Sequence, residues 1–301
     1  MTTLSNFGKQ LVLLTLALLL VIGAAHPVFA NDPQLARSST LEVIRSRGVL
    51  LVGTDIPYTP FEFRDQQGRL VGFDIDVAQL IADEIGVDLE AVPTGFDVII
   101  PALNTNKFDI IISGMTRTLK RALQVNFTDG YLTAGQIAMV NRRRMPNVTS
   151  YDQFNQAGVV ITVQLGTTGE IAARNSFPNA TIRTFDNAEV TVLEVVFGRA
   201  DAVIFDDVFL LAELPKFSDR VYLFDTSDPL TKEILGLAIR KGDPDFLTWL
   251  NLFLEQIRTT MLVDEEFVEA FDVDSSFLGK PVHDALVHKW FVRFPEEAVG
   301  G

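Results

Sequence analysis

The chain has 301 residues and a net charge of −14, from 39 acidic against 25 basic side chains. That balance argues against a nucleic-acid partner, because such binders present a basic face. Cysteine is absent, which excludes thiol chemistry, disulfides and a lipid-modified N-terminal cysteine, and an exported chain without disulfides suits a bacterial envelope.

Lys9 followed by the apolar run from Leu11 to Ala25 and the small-residue site Val28-Phe29-Ala30 reads as a secretory signal peptide, residues 1–30, cut after Ala30. The apolar run is shorter than the ~20 residues of a comfortable membrane span, so cleavage is expected over retention as an anchor. The mature protein is expected in the periplasm. A polar linker then leads to a helix from Leu41 to Arg47 and a strand from Val49 to Thr54. The prolines of Asp55-Ile56-Pro57-Tyr58-Thr59-Pro60-Phe61 make a loop. Asp74 reads as the cap of a helix with apolar Val77, Ile81 and Ile85, closed by Gly86. A strand from Leu89 to Val92, a helix from Val98 to Thr105 and a strand from Ile110 to Ser113 follow, and strands alternating with helices predict a parallel sheet with right-handed crossovers.

Gln136 to Asn141 is an apolar strand ending in Arg142-Arg143-Arg144, the one basic cluster, read as a solvated strand exit. A second α/β unit then comprises a helix from Tyr151 to Ala157, a strand from Val159 to Val163 and a helix from Glu170. It continues with a helix from Val190 to Phe197, a strand from Ala202 to Phe205, a helix from Val208 to Leu214 and a strand from Val221 to Phe224. Ile234 to Ile239 is expected to return to the first lobe beside Gln136 to Asn141. Phe246, Leu250, Phe253 and Ile257 give a helix that packs back onto that lobe. The expected divisions are lobe one over 31–139, lobe two over 140–235, and a return over 236–301.

Three stretches carry the chemistry. Ile110 to Ile112 is a β-branched run that reads as a strand covered on both faces. Ser113-Gly114 lets the backbone approach a ligand, Thr116 and Thr118 read as helix-start residues, and Arg121 points back toward that entrance. The carboxyl end of a parallel strand is where α/β folds place ligands, and N–H donors, a hydroxyl and a guanidinium suit a carboxylate. The same logic recurs at Gly166-Thr167-Thr168-Gly169, which lacks the Lys-Ser or Lys-Thr of a phosphate loop. Asp206 and Asp207 follow the strand from Ala202, one fitted to a ligand ammonium and one to capping the next helix. Arg121 and Asp206 together match the two charges of an α-amino acid. Tyr58 and Phe96 are loop aromatics able to sandwich its side chain, and Asp55 and Gln164 are strand-end groups able to read its head.

Catalysis has little support in the residues. His26 leaves with the signal, and the five-residue spacing of His283 and His288 does not place both on one helical face, as a zinc pair needs. No Gly-x-Ser-x-Gly elbow or dinucleotide glycine fingerprint is present. No metal or cofactor is expected.

The ordered motifs Gly53-Thr54-Asp55, Pro60-Phe61-Glu62-Phe63, Gly72-Phe73-Asp74-Ile75-Asp76, Ile100-Pro101-Ala102-Leu103, Ser113-Gly114-Met115-Thr116 with Arg121, Gln164 to Gly169, and Arg199-Ala200-Asp201-Ala202-Val203 resemble the periplasmic solute-binding proteins of family 3. The resemblance runs from Leu41 to Ile257. It implies a two-lobed α/β fold, each lobe a mixed, mainly parallel sheet flanked by helices, joined by two hinge strands and closing over its ligand. It also implies a monomeric carrier that delivers a polar L-amino acid to the membrane permease of an ABC importer. Within that resemblance Arg121 grips the α-carboxylate, helped by N–H groups at Thr116 and Thr168. Asp206 takes the ammonium with the Gly114 carbonyl and the Thr116 hydroxyl, while Tyr58, Phe96 and Asp55 receive the side chain. Thr167 and Gln164 fall in the matching lobe-two turn. An acidic Asp55 favours a basic or amide side chain. Phe205 stands where some relatives carry a polar residue, and Asp264 to Lys280 looks inserted, with an extra helix on lobe one as its expected form. The rival reading is an enzyme on the same fold, a dehydratase of the cyclohexadienyl type, for which Glu170 is the candidate acid.

Overall fold

The computed structural model describes residues 39–224 and 227–293. The expected signal peptide and its cleavage site lie outside the described residues. Among the described residues no helix is long and apolar enough to cross a membrane.

Helix α1 (Thr40–Arg47) is capped by the Ser39 side chain and leads into β1 (Val49–Thr54). A short hairpin, β2 (Phe63–Arg64) and β3 (Leu70–Val71), precedes α2 (Phe73–Ile85). Gly86 closes α2, as expected, but its N-cap is Gly72 and not Asp74. Asp74 sits fully buried in the first turn, where its carboxylate accepts from the Gly114 N–H at 2.7 Å and the Tyr131 hydroxyl at 2.8 Å. A cap faces water beside its own helix; this carboxylate serves a turn on another strand. Next come β4 (Asp88–Pro93), α3 (Ile99–Asn104), β5 (Ile110–Ile111) and α4 (Leu119–Ala122). Thr118 is the N-cap of α4, bonded to the Arg121 N–H at 3.1 Å. Thr116 is not a helix start: it forms a bridge with Leu235 and lies in extended chain.

β6 (Asn126–Ala134) and β7 (Gln136–Asn141) follow each other across Gly135. The second lobe then holds a single 3-10 turn at Tyr151–Phe154 in place of the expected helix to Ala157. It continues with β8 (Val160–Gln164), α5 (Thr168–Ser176), β9 (Thr181–Phe185), α6 (Ala188–Val196), β10 (Ala202–Asp206), α7 (Asp207–Phe217) and β11 (Val221–Phe224). In the basic cluster, Arg144 pairs with the buried Asp201 at 2.7 Å, so one of the three arginines is structural.

Two five-stranded sheets carry the lobes, ordered β4-β1-β5-β12-β6 and β11-β7-β10-β8-β9, with β12 spanning Glu233–Ile239. In each, two ladders are parallel and two antiparallel. The antiparallel members include the strands next to the crossings. β12 therefore does not lie beside β7, as expected, but between β5 and β6, while β7 pairs with β10 and β11. Sheet membership changes at Gly135 on the way out and before Glu233 on the way back, a few residues ahead of the expected divisions at 139 and 235.

Helix α8 (Pro244–Thr259) buries Phe246, Leu250, Phe253 and Ile257 against the first lobe, the face its spacing predicts. The extension adds α9 (Glu265–Phe271) and α10 (Val282–Val287), and α10 packs on α2 and α8. Val263, Val273, Val282, Leu286 and Trp290 are buried there. The Trp290 indole N–H donates to Asp76 at 2.7 Å, and Lys289 reaches the same carboxylate at 2.9 Å. The extension is thus part of the first lobe's core.

Candidate functional site

All ten residues singled out in the sequence line one cavity between the two sheets: Asp55, Tyr58, Phe96, Gly114, Thr116 and Arg121 from the first lobe, and Gln164, Thr167, Thr168 and Asp206 from the second. Its volume is about 20 Å³, the room of one water-sized sphere. The side chains meet each other across it.

The first-lobe wall is made by the ends of two neighbouring parallel strands. Asp55 follows β1, and its N–H donates to the Ser113 hydroxyl at 3.0 Å. Gly114 has φ of +50°, and a Cβ there would lie 2.5 Å from the Tyr58 ring. Only glycine lets the tyrosine lie against this turn. Tyr58 also stacks on Phe61, with ring centroids 4.7 Å apart. Behind the turn, Glu62 accepts from the Ser113 hydroxyl and Asp74 from the Gly114 N–H. Both carboxyl groups are fully buried, and burial raises both above the usual range, Asp74 to about 7.

Arg121 lies over the Phe96 ring, 5.0 Å from its centroid. Its guanidinium donates to the Thr116 carbonyl at 2.8 Å and, across the cleft, to the Gly166 carbonyl at 3.1 Å. Burial lowers its pKa to about 10, against the opposing pull of Glu233 and Asp206. On the second-lobe wall Thr167 caps α5 by accepting the Glu170 N–H, and donates to the Gln164 carbonyl at 2.7 Å. Gln164, at the end of β8, donates to Asp55 at 2.6 Å. Asp206, at the end of β10, accepts from the Tyr58 hydroxyl and from the Gln136 amide. The expected side-chain cap does not form: the N-cap of α7 is Asp206, whose carboxylate faces the cavity and makes no capping bond. Asp207, the first helical residue, accepts from the N–H groups of Val208 and Gly135.

Burial raises Asp55 to about 6, with Gln164 pulling it down and Asp97 pushing it up. Burial likewise raises Asp206 to about 7, reinforced by Glu233 and opposed by Tyr58. The side-chain hydrogen bonds that reach these two carboxylates come from neutral donors. The cavity wall thus holds two carboxyl groups and one guanidinium, an excess of one negative charge when all are ionised.

Ser113, Gln136 and Phe205 also line the cavity, and Glu233 stands immediately behind Thr116 and Thr168, accepting from both hydroxyls. Gln136 and Glu233 open the strands on either side of the crossings, and that position was their only signal in the sequence. Glu170, the acid a catalytic reading requires, does not line the cavity. Its carboxylate accepts the Gly166 N–H at 2.9 Å and pairs with Arg174 at 2.9 Å.

The family described as bacterial extracellular solute-binding proteins, family 3, matches residues 50–266. The L-cystine-binding protein TcyJ of Escherichia coli strain K12 is 28% identical over 248 residues, 82% of this chain and 90% of its own length. The cyclohexadienyl dehydratase of Pseudomonas aeruginosa is 32% identical over 185 residues, 62% of this chain and 69% of its own. Among solved structures, the ancestral amino-acid-binding protein AncCDT-1, a precursor of cyclohexadienyl dehydratase, superposes with a TM-score of 0.71 at 43% identity, covering 84% of this chain and 100% of that one. A putative ABC-transporter binding component from Wolinella succinogenes, complexed with lysine, has a TM-score of 0.69 at 40% identity, covering 82% of this chain and 97% of its own.

Proposed function

The chain belongs to the bacterial extracellular solute-binding proteins of family 3, and we propose that its cleft captures an L-amino acid with a positively charged side chain for delivery to the permease of an ABC importer. The carrying observation is the charge balance of the cavity: Asp55 and Asp206 against Arg121. A zwitterion leaves one lining carboxylate without a cation, whereas arginine or lysine gives each of the three lining charges a partner, and Glu233 behind the wall keeps its three threonine hydroxyls. Burying charge is tolerable only when each ion finds a partner.

In this reading Arg121 forks onto the α-carboxylate, giving up its bond to the Gly166 carbonyl, with the N–H groups of Thr116 and Thr168 completing the anion site. Asp206 exchanges Tyr58 for the α-ammonium, joined by the Gly114 carbonyl and Thr116 hydroxyl. The side chain runs between Tyr58 and Phe96 to Asp55 and Gln164. A cavity of about 20 Å³ admits an amino acid only when the walls move apart, so capture proceeds by opening and closing about the two crossings. The protein works in the periplasm as a monomer and needs no cofactor.

The likeness to a dehydratase sustains a second reading, an enzyme acting on prephenate or arogenate. Its acid would be Asp55 or Asp206, whose raised pKa values suit proton donation near neutrality. A thermal-shift and calorimetric screen of the common L-amino acids, with prephenate and arogenate incubated in parallel, separates the two. A rise in melting temperature with arginine or lysine and no loss of prephenate or arogenate supports the carrier. Consumption of either compound, with no amino acid binding, overturns it in favour of the enzyme.

A further inference from the structure

Glu233 opens β12, where the chain returns from the second lobe to the first, and it is buried. Its carboxylate takes three hydroxyl donors from three different places. Oε2 accepts from Thr116 of the first lobe at 2.5 Å and from Thr168, the first residue of α5 in the second lobe, at 2.8 Å. Oε1 accepts from Thr231, on the return crossing itself, at 2.7 Å. The two threonines on Oε2 also face each other at 3.4 Å. One carboxylate oxygen therefore bridges the two walls of the cleft, and that arrangement exists only while the walls are together. We propose that Glu233 is the latch of the closed cleft, a positioning residue that holds Thr116 against Thr168.

The charges around it make the latch conditional on a ligand, and this part rests on the amino-acid-binding reading above. Glu233 is attracted by Arg121 and repels Asp206 and Asp207. With the cleft unliganded, repulsion between the buried carboxylates Glu233 and Asp206 offsets part, but not all, of what the two threonine bonds contribute to closure. An ammonium placed on Asp206 cancels that repulsion, while both threonine bonds to Glu233 are retained. The residue then stabilises the closed form most when the cleft holds an amino group. Hydrogen bonds to a charged acceptor exceed those between neutral groups, and on opening water replaces the two cross-cleft bonds, so their loss should shift the closed-to-open ratio by roughly tenfold.

The chain has no cysteine, so Glu84→Cys on α2 and Asn179→Cys ahead of β9, both at exposed positions, give one dye site on each lobe. Inter-lobe distances are read by energy transfer in this background, in Glu233→Ala and in Glu233→Gln, first without additive and then with L-arginine, whose dissociation rate is measured by stopped flow. The expected result is a lower closed fraction in Glu233→Ala and arginine dissociation about tenfold faster, with an unliganded melting temperature unchanged from the parent. Glu233→Gln, which keeps an acceptor for both threonines, should stay within about threefold of the parent. Unchanged distances and dissociation in Glu233→Ala would overturn the latch. So would a fall in its unliganded melting temperature as large as that of its complex, which marks a purely structural role. If L-arginine changes nothing in the parent, the ligand reading fails on its own, and the unliganded distance distributions of the parent and Glu233→Ala decide the latch.

Discussion

Ligand affinity should climb steeply with pH through the neutral range, because the two carboxylates proposed to hold the ligand's positive groups are buried. Asp206 is raised to about 7 and Asp55 to about 6. A cation requires each in its ionised form, so binding expels whatever protons they carry. At about pH 5, Asp206 is ionised in roughly one molecule in a hundred and Asp55 in roughly one in ten. Their product lowers affinity for arginine about a thousandfold relative to pH 8, or about 4 kcal/mol. That is the figure for the closed cleft; every fraction of open molecules rewets the carboxylates and shrinks it. The unliganded protein should show the opposite slope. A carboxyl group whose pKa is raised by folding adds stability that is complete below about pH 4 and is lost as pH rises through the folded value. The contributions of Asp55 and Asp206 to the unliganded fold therefore disappear by about pH 6 and 7, in the window where affinity grows. Isothermal titration calorimetry with arginine, in buffers of different ionisation enthalpy, reads both the affinity and the protons released. Equal affinities at about pH 5 and 8 with no proton release would refute the burial argument.

Arg121→Ala should remove roughly 3 kcal/mol or more of arginine binding, over a hundredfold by calorimetry, because a buried carboxylate loses its forked partner. Asp55→Asn removes the excess negative charge, and its preference for arginine over glutamine should fall by about ten- to a hundredfold in competition assays. Gly114→Ala forces a side chain into φ of +50° and against the Tyr58 ring. It should cost at least ~1–2 kcal/mol of stability, seen as a lower melting temperature and weaker binding together. Trp290→Ala empties a buried site that also supplies a donor to Asp76. It should destabilise by about 3–5 kcal/mol in urea unfolding, while affinity in the surviving folded fraction stays the same.

The alternation of β-branched runs with helical spacing was enough to place β1, β7 and β11 to the residue and the buried face of α8. Local chemistry at strand ends, two loop aromatics and the family resemblance together marked ten residues that share one cavity; a strand end followed at once by small residues and a helix start is where α/β folds place ligands. What stayed hidden depended on partners distant in the chain. β6 reads Asn126-Phe-Thr-Asp-Gly-Tyr-Leu-Thr-Ala and β9 reads Thr181-Ile-Arg-Thr-Phe, mixed polar patterns that become strands because a neighbour supplies their ladder. Asp74 carries the local signature of a cap, yet tertiary packing gives it the Gly114 N–H and Tyr131. Glu170 and Glu233 are equally plain glutamates in the sequence. The fold ties one to Arg174 outside the cavity and sets the other beneath Thr116 and Thr168. Residue type and spacing therefore determined which chemistry this protein can present. Only the tertiary structure decided which carboxylates face the cleft, because strand pairing across the crossings brings together groups more than a hundred residues apart, such as Thr116 and Glu233.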